Sequence, residues 1–213
     1  MGKTNYFKRE RGEAVKAAAI ILSGGKSSRM GTNKALLKIN EKTNIERIVE
    51  ELHGFFAEII LVTNHPDDYR FLGVKLVPDQ FPGLGPLAGL QAGLSASTHE
   101  VNVVVACDMP FISGSLAEKI AAKNDGFDAV IPVIDGKKQP LFAVYHKRIL
   151  PVIAESLEKG KLRMTELFEK LHALYLTEKD LPEYSIRKLE LTFFNMNDPE
   201  EYEQAKKWAK QDN

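Results

Sequence analysis

The residues best suited to chemistry lie in one short run, Leu22-Ser23-Gly24-Gly25-Lys26-Ser27-Ser28-Arg29-Met30-Gly31, with Lys34 close behind. Two adjacent glycines let backbone N–H groups approach a phosphate without Cβ obstruction. Arg29 and Lys34 add positive charge suited to a polyanion. The plainer interpretation is a surface turn with solvated cations, and it explains the paired glycines less well. Two better-known phosphate motifs fail. A Walker A needs glycine five residues before Gly25, where Ile20 stands. Gly83-Leu84-Gly85-Pro86-Leu87-Ala88 matches the dinucleotide fingerprint by letters, but Gln80, Phe81 and Pro82 separate it from a strand. It reads better as a loop bringing backbone close to a flat ligand such as a base.

A second candidate is Cys107-Asp108-Met109-Pro110, directly after an apolar run. A lone carboxylate there suits Mg²⁺, which takes one or two carboxylates with phosphate oxygens and water. Asp108 could equally cap a turn before Pro110. Cys107 reads as a small apolar residue, because no His is near it in sequence to activate a thiol. Asn64 and Asp79 follow further apolar runs, and each suits a ribose or base contact or a turn. His53, His65, His99, His146 and His172 show no metal-ligand spacing and are assigned to surface or loops.

Elements must position these groups. Ala18–Leu22, Glu58–Val62, Lys75–Val77, Val101–Ala106 and Ala129–Ile134 read as strands, rich in Val and Ile and apolar on both faces. Thr43 and Glu46 form a capping-box pattern before a helix with Ile45, Ile48, Val49 and Leu52 on one stripe. Pro86–Ser97 and Ser115–Lys123 are further helices. Asp135-Gly136 signals a turn before a strand at Pro140–Tyr145. Helices are expected over Ile149–Glu158 and Arg163–Leu171, a late strand over Leu189–Phe194, and a C-terminal helix with Asp198 as cap and Pro199 in its first turn. The alternation implies an α/β fold: a three-layer open, mostly parallel sheet with helices on both faces. In such sheets ligands bind beyond the carboxyl ends of the strands, where Leu22, Asn64, Asp79 and Asp108 fall.

Composition bounds the alternatives. The 213 residues carry 29 Lys+Arg and 29 Asp+Glu, so a polybasic nucleic-acid binder is not expected. One Cys excludes an intrachain disulfide and a cysteine-only zinc site. No apolar run approaches the ~18 residues that span a bilayer. Residues 1–16 read as a polar tail and 17–213 as a single domain. The apolar stretch after Lys16 is too short for a signal peptide, which leaves a cytoplasmic location as the expectation.

Together these motifs resemble the molybdenum cofactor guanylyltransferases of the MobA type, in the nucleotide-diphospho-sugar transferase-like superfamily. The resemblance runs from Ala18 to about Trp208. It rests on Leu22–Gly25 with Arg29-Met30-Gly31 and Lys34, on Gly85-Pro86-Leu87-Ala88-Gly89, on Cys107–Pro110, on Gln139-Pro140, and on Phe194-Asn195-Met196-Asn197-Asp198-Pro199-Glu200-Glu201. Ser23 stands where many members have Ala. The resemblance implies transfer of GMP from GTP to molybdenum-bound molybdopterin with release of pyrophosphate. It implies Mg²⁺ on Asp108 and catalytic roles for Arg29, Lys34 and Asp108. Nucleotide contacts would come from Leu22, Ser23, Gly24, Gly25, Lys34, Asn64, Asp79 and Asp108, and pterin contacts from Gln139, Arg163, Asn195 and Asn197. Other proteins of molybdenum cofactor biosynthesis are expected partners. The rival readings are a CTP-using or other phospho-metabolite nucleotidyltransferase, a non-catalytic nucleotide-binding module, and a protein scaffold.

Overall fold

A computed structural model describes residues 16–24 and 33–211. In chain order the strands are β1 (Ala17–Leu22), β2 (Lys38–Ile39), β3 (Lys42–Thr43), β4 (Glu58–Val62), β5 (Lys75–Val77), β6 (Val101–Ala106), β7 (Ala129–Ile134), β8 (Lys137–Lys138), β9 (Phe142–His146) and β10 (Ala173–Thr177). The helices are α1 (Asn44–His53), α2 (Pro86–Ala96), α3 (Gly114–Ala122), α4 (Leu150–Glu158), α5 (Met164–Phe168), α6 (Ile186–Thr192) and α7 (Pro199–Gln211). The main sheet runs β10-β7-β9-β6-β1-β4-β5, with β8 on β7, and β2 and β3 form a separate hairpin. Strands β1, β4, β5 and β6 are parallel. β9 is inserted antiparallel between β6 and β7, so the sheet is mostly parallel, as expected.

Period-2 alternation decides which layer each strand residue feeds. Ala17, Ala19 and Ile21 of β1 join Ile59 and Leu61 of β4 against α1, α3 and α6. Ile20 and Leu22 join Ile60 and Val62 against α2, α4 and α5. Both faces are therefore covered, which explains why these strands read as continuous apolar runs. The capping box at α1 forms: Thr43 N donates to Glu46 Oε2 at 2.8 Å, and Glu46 N donates to Thr43 Oγ1 at 3.4 Å. α2 lies close to the sheet because it has Gly93 where a side chain would strike Ile20; an added Cβ would fall 2.4 Å from Ile20 Cγ2.

A third, smaller core matters for the site. Met196, Ala205 and Ala209 pack on Ile39, flanked by Phe111, Phe194 and Tyr202. The Phe194 and Trp208 rings meet edge-on at 4.9 Å. Tyr202 Oη donates to Lys38 O at 2.7 Å and Asn40 Nδ2 to Ala209 O at 3.1 Å, so α7 is fastened to the β2–β3 hairpin.

Two expectations need correction. Leu189–Phe194 is not a strand: Leu189–Thr192 form the second half of α6, with Phe193 as its C-cap; Ser185 Oγ accepts from Lys188 N at the start of the helix, and only Leu189 and Thr192 of the helix are buried. Arg163–Leu171 is not a long helix: α5 has five residues, and the chain then turns through Lys170 and Leu171. The unanticipated β10 pairs parallel with β7 at the sheet edge, with Leu176 its one buried residue, too sparse a pattern to signal a strand.

Candidate active site

The carboxyl ends of β1, β4, β5 and β6 converge through backbone hydrogen bonds. Cys107 N donates to Leu22 O at 3.1 Å, Ser23 N to Val62 O at 2.9 Å and Thr63 N to Val77 O at 2.8 Å. The parallel register thus continues one residue past each strand and places Leu22, Ser23, Asn64 and Asp108 along one edge. Asn64 and Asp79 meet directly: Asp79 N donates to Asn64 Oδ1 at 3.0 Å, and Phe81 N donates to Asp79 Oδ1 at 2.8 Å. Both thus perform the turn roles expected of such residues. Asp79 Oδ2 and Asn64 Nδ2 are not used in those bonds. Beyond them Gly83 and Gly85 hold φ of 88° and 80°, left-handed values that glycine adopts without strain, and lead into α2. Gly24 is exposed, with open space where a Cβ would stand.

Lys34 opens a short 3-10 turn, Lys34–Leu36, capped by Asn33, whose Oδ1 accepts from Ala35 N at 3.2 Å. Its Nζ donates to Asn197 Oδ1 at 3.4 Å. The segment carrying Asn197 is pinned beside Asp108, since Met196 N donates to Asp108 O at 2.8 Å. Lys34, Asp108 and Asn197, from three distant parts of the sequence, are therefore neighbours. Asn195 lies on the same segment, with Nδ2 donating to Phe193 O at 3.0 Å.

Asp108 is the electrostatically unusual member. Its Oδ1 is buried with no hydrogen-bond partner. Burial pushes its carboxyl above the usual range, Lys34 pulls the other way, and Glu201 pushes up again. A buried carboxylate oxygen without a partner is costly unless something cationic meets it. Among the described residues no cluster of three or more His, Cys, Asp or Glu is placed to hold a metal ion. A site with one protein carboxylate suits Mg²⁺, which fills its remaining positions with phosphate oxygens and water. The Cys107 thiol is pushed up to about 12, by burial first and then by Asp108. It is therefore a thiol and not a nucleophile, in line with the sequence reading.

The remaining candidates divide. Gln139 lies near the carboxyl end of β7: its N donates to Pro132 O at 2.9 Å, and nearby Ala106 N donates to Leu141 O at 2.9 Å. Arg163 caps α5 in the layer of α2 and α4, the opposite face of the sheet from Lys34, and no hydrogen bond joins it to Asp108 or Asn197. Gly25 and Arg29 lie outside the described residues. Sequence reasoning passed over Asn33, Tyr69 and Asn44. Asn44 is fully buried and donates from Nδ2 to Cys107 O at 2.6 Å, fixing the strand end before Asp108 to the first turn of α1. A polar residue on the buried stripe of α1 was the available signal.

A family model described as "MobA-like NTP transferase domain" matches residues 19–174. The chain belongs to this family. A MobA-like relative from Pelotomaculum thermopropionicum, named "Probable molybdenum cofactor guanylyltransferase", is 36% identical over 195 residues, 92% of this chain and 94% of its own. One of the same name from Natranaerobius thermophilus is 36% identical over 197 residues, covering 90% and 95%. Among solved structures, molybdopterin-guanine dinucleotide biosynthesis protein A from Archaeoglobus fulgidus is 25% identical, with a TM-score of 0.79 over 91% of this chain and 99% of that one. The 2-C-methyl-D-erythritol 4-phosphate cytidylyltransferase of Thermus thermophilus shares the fold at 15% identity, with a TM-score of 0.67 over 90% and 98%. No described helix is long and apolar enough to cross a membrane.

Proposed function

We propose that this MobA-like chain transfers GMP from GTP to the terminal phosphate of molybdenum-bound molybdopterin, forming molybdopterin guanine dinucleotide and releasing pyrophosphate. A phosphate oxygen of the pterin attacks the α-phosphorus of GTP. The new P–O bond forms as the α–β bridging bond breaks, and the electron pair leaves with pyrophosphate. The attacking monoester is already anionic near neutral pH, so the site requires placement and charge stabilisation more than a strong base. An un-ionised Cys107 is compatible with that.

The observation that carries the reading is the convergence of Lys34, Asp108 and Asn197 at the carboxyl edge of the parallel strands. Lys34 and the Gly24 amide meet the phosphates, assisted in this reading by Gly25 and Arg29. Asp108 would hold Mg²⁺, which supplies positive charge to the reacting phosphates. Leu22, Ser23, Asn64 and Asp79 bound the nucleoside side. Asn195 and Asn197 border the pterin side, with Gln139 and Arg163 further out. Residues 17–213 act as one nucleotidyltransferase unit, in the cytoplasm, alongside other proteins of molybdenum cofactor biosynthesis.

The test has two arms. GTP·Mg²⁺ is expected to raise the melting temperature more than CTP, ATP or UTP at equal concentration, since selective binding stabilises the native state. Pyrophosphate release is expected with GTP and molybdenum-loaded molybdopterin together. Equal stabilisation by GTP and CTP overturns the guanine assignment, and no release with any nucleotide overturns transfer.

A further inference from the structure

We propose that Tyr69 is a positioning residue of this site, its hydroxyl setting the spacing between the end of β1 and the turn that carries Lys34. The inference rests on the nucleotidyl-transfer reading above. Tyr69 lies in the 3-10 segment Pro66–Leu72 between β4 and β5 and is 1% exposed. Its Oη is 2.8 Å from Ser23 Oγ and accepts from Asn33 Nδ2 at 2.8 Å. Ser23 directly follows β1 and precedes Gly24. Asn33 directly precedes Lys34 and caps its turn. One phenol oxygen therefore links both backbone points from which the site's phosphate-facing groups extend.

Packing alone would not select this hydroxyl. A buried ring needs only Phe, and a buried O–H must find a partner or cost stability. Tyr145 satisfies its own by donating to Pro140 O at 2.8 Å, a local bond five residues away. Tyr69 instead reaches side chains 46 and 36 residues distant, and both belong to the site. Ser23 also interacts with the Cys107 thiol, the neighbour of Asp108. Asn33 has no spare freedom: Oδ1 caps the Lys34 turn while Nδ2 holds Tyr69. Displacing Tyr69 Oη would release Asn33, and with it the position of Lys34 relative to Gly24. Phosphate contacts made in both ground and transition states affect KM more than kcat.

The experiment measures pyrophosphate release against GTP concentration in Tyr69→Phe, which keeps the ring and removes the oxygen. The expected result is a KM for GTP raised roughly tenfold with kcat within about twofold. Asn33→Ser keeps an oxygen for the cap but is too short to reach Tyr69, and it is expected to show the same rise. A merely structural role would reduce the folded fraction, which lowers kcat and leaves KM alone. Wild-type KM in both Tyr69→Phe and Asn33→Ser overturns the proposal, as does a loss confined to kcat. Hydrogen exchange in the unliganded protein separates this from failure of the functional reading. The Ala35 and Leu36 amides should exchange about tenfold faster in Tyr69→Phe. Unchanged exchange overturns the tie whether or not the enzyme turns over. Absence of turnover in the wild type, with faster exchange in the variant, sinks the transfer reading and leaves the tie standing.

Discussion

Lys34 and Asn197 are 163 residues apart in sequence and joined by a hydrogen bond of 3.4 Å. That bond connects the strand-to-helix crossover after β1 with the segment entering α7. It depends on parts far from the chemistry. The aromatic contact of Phe194 with Trp208 and the bond from Tyr202 to Lys38 seat α7 on the β2–β3 hairpin, which directly follows the Lys34 turn. Lys34 and Asn197 thus sit on two elements that are fastened to each other, so the hairpin and α7 support the site as a rigid base.

Lys34→Ala should weaken GTP binding by about 10-fold or more, the scale of a lost charge-assisted contact. The circular dichroism spectrum should remain native, because the bond to Asn197 is exposed. Lys34 also lowers the Asp108 pKa. Its removal should therefore shift the acid limb of any residual activity to higher pH. Calorimetry with GTP·Mg²⁺ and a pH–rate profile check both effects, and unchanged affinity would remove Lys34 from the phosphate site.

Much of this arrangement was legible in the sequence, for reasons that differ by residue. Ile20, Ile60 and Val104 sit in strands covered on both faces, and covered strands produce apolar runs that alternation cannot obscure. Leu22, Asn64, Asp79 and Asp108 followed from the crevice rule, because Leu22 ends a parallel strand and the other three come shortly after one. The proximity of Asn197 to Lys34 was not legible from spacing, since it is made by tertiary packing of α7. Tyr69 was missed because its partners are remote and its neighbours, Pro66, Asp67 and Asp68, read as ordinary loop. Leu189–Phe194 misled because a helix this short, with few buried positions, carries no clear 3.6-residue period.

Glu58, at the amino-terminal end of β4, illustrates stability held away from the site. Burial alone would raise its pKa, but hydrogen bonds from Thr98 N, Thr98 Oγ1 and His99, with Lys75 nearby, lower it to about 2. A carboxyl depressed on folding contributes stability above its unfolded pKa and loses it as pH falls through the folded value. Glu58→Gln should therefore destabilise the protein at pH 7, by on the order of 2 kcal/mol. The difference should shrink between pH 4.5 and about 2. Urea unfolding of both proteins across that range measures it, and a pH-independent difference would assign the loss to packing.

Gly93→Ala tests how closely α2 must approach the sheet. The added Cβ would meet Ile20 Cγ2 at 2.4 Å and Val62 Cγ2 at 3.3 Å, both on stiff β-branched side chains. Alanine favours a helix over glycine by at most about 1 kcal/mol, whereas overpacking costs about 1–3 kcal/mol. Net destabilisation is expected in denaturant melts. Because Ile20 lies in β1, which ends at Leu22, and Val62 is the last residue of β4, affinity for GTP should also fall. A variant as stable as wild type would mean that α2 can move outward freely.

Asp108→Asn separates binding chemistry from turn structure. The Asp108 carboxyl is raised by burial, and its Oδ1 has no partner. For a carboxyl raised on folding, the protonated form suits the native state better. Native stability therefore falls as pH rises through the unfolded and then the folded pKa. Asparagine cannot ionise, so the unliganded variant should melt at or above the wild-type temperature at pH 7. At low pH, where wild-type Asp108 is itself protonated, the gap should close. A turn role would survive, because Asn caps about as well as Asp, and Asp108 O still accepts from Met196 N through the backbone. Cation binding would not survive, because Mg²⁺ prefers anionic oxygen. Guanylyl transfer should fall by at least ~100-fold, the scale of losing one preorganised electrostatic group. The stabilisation by GTP·Mg²⁺ seen in wild type should largely vanish, and added Mg²⁺ should restore little. Melting curves with and without GTP·Mg²⁺, run beside pyrophosphate release, resolve the two roles. Near wild-type turnover in Asp108→Asn would leave Asp108 as a buried turn residue and move the cation elsewhere.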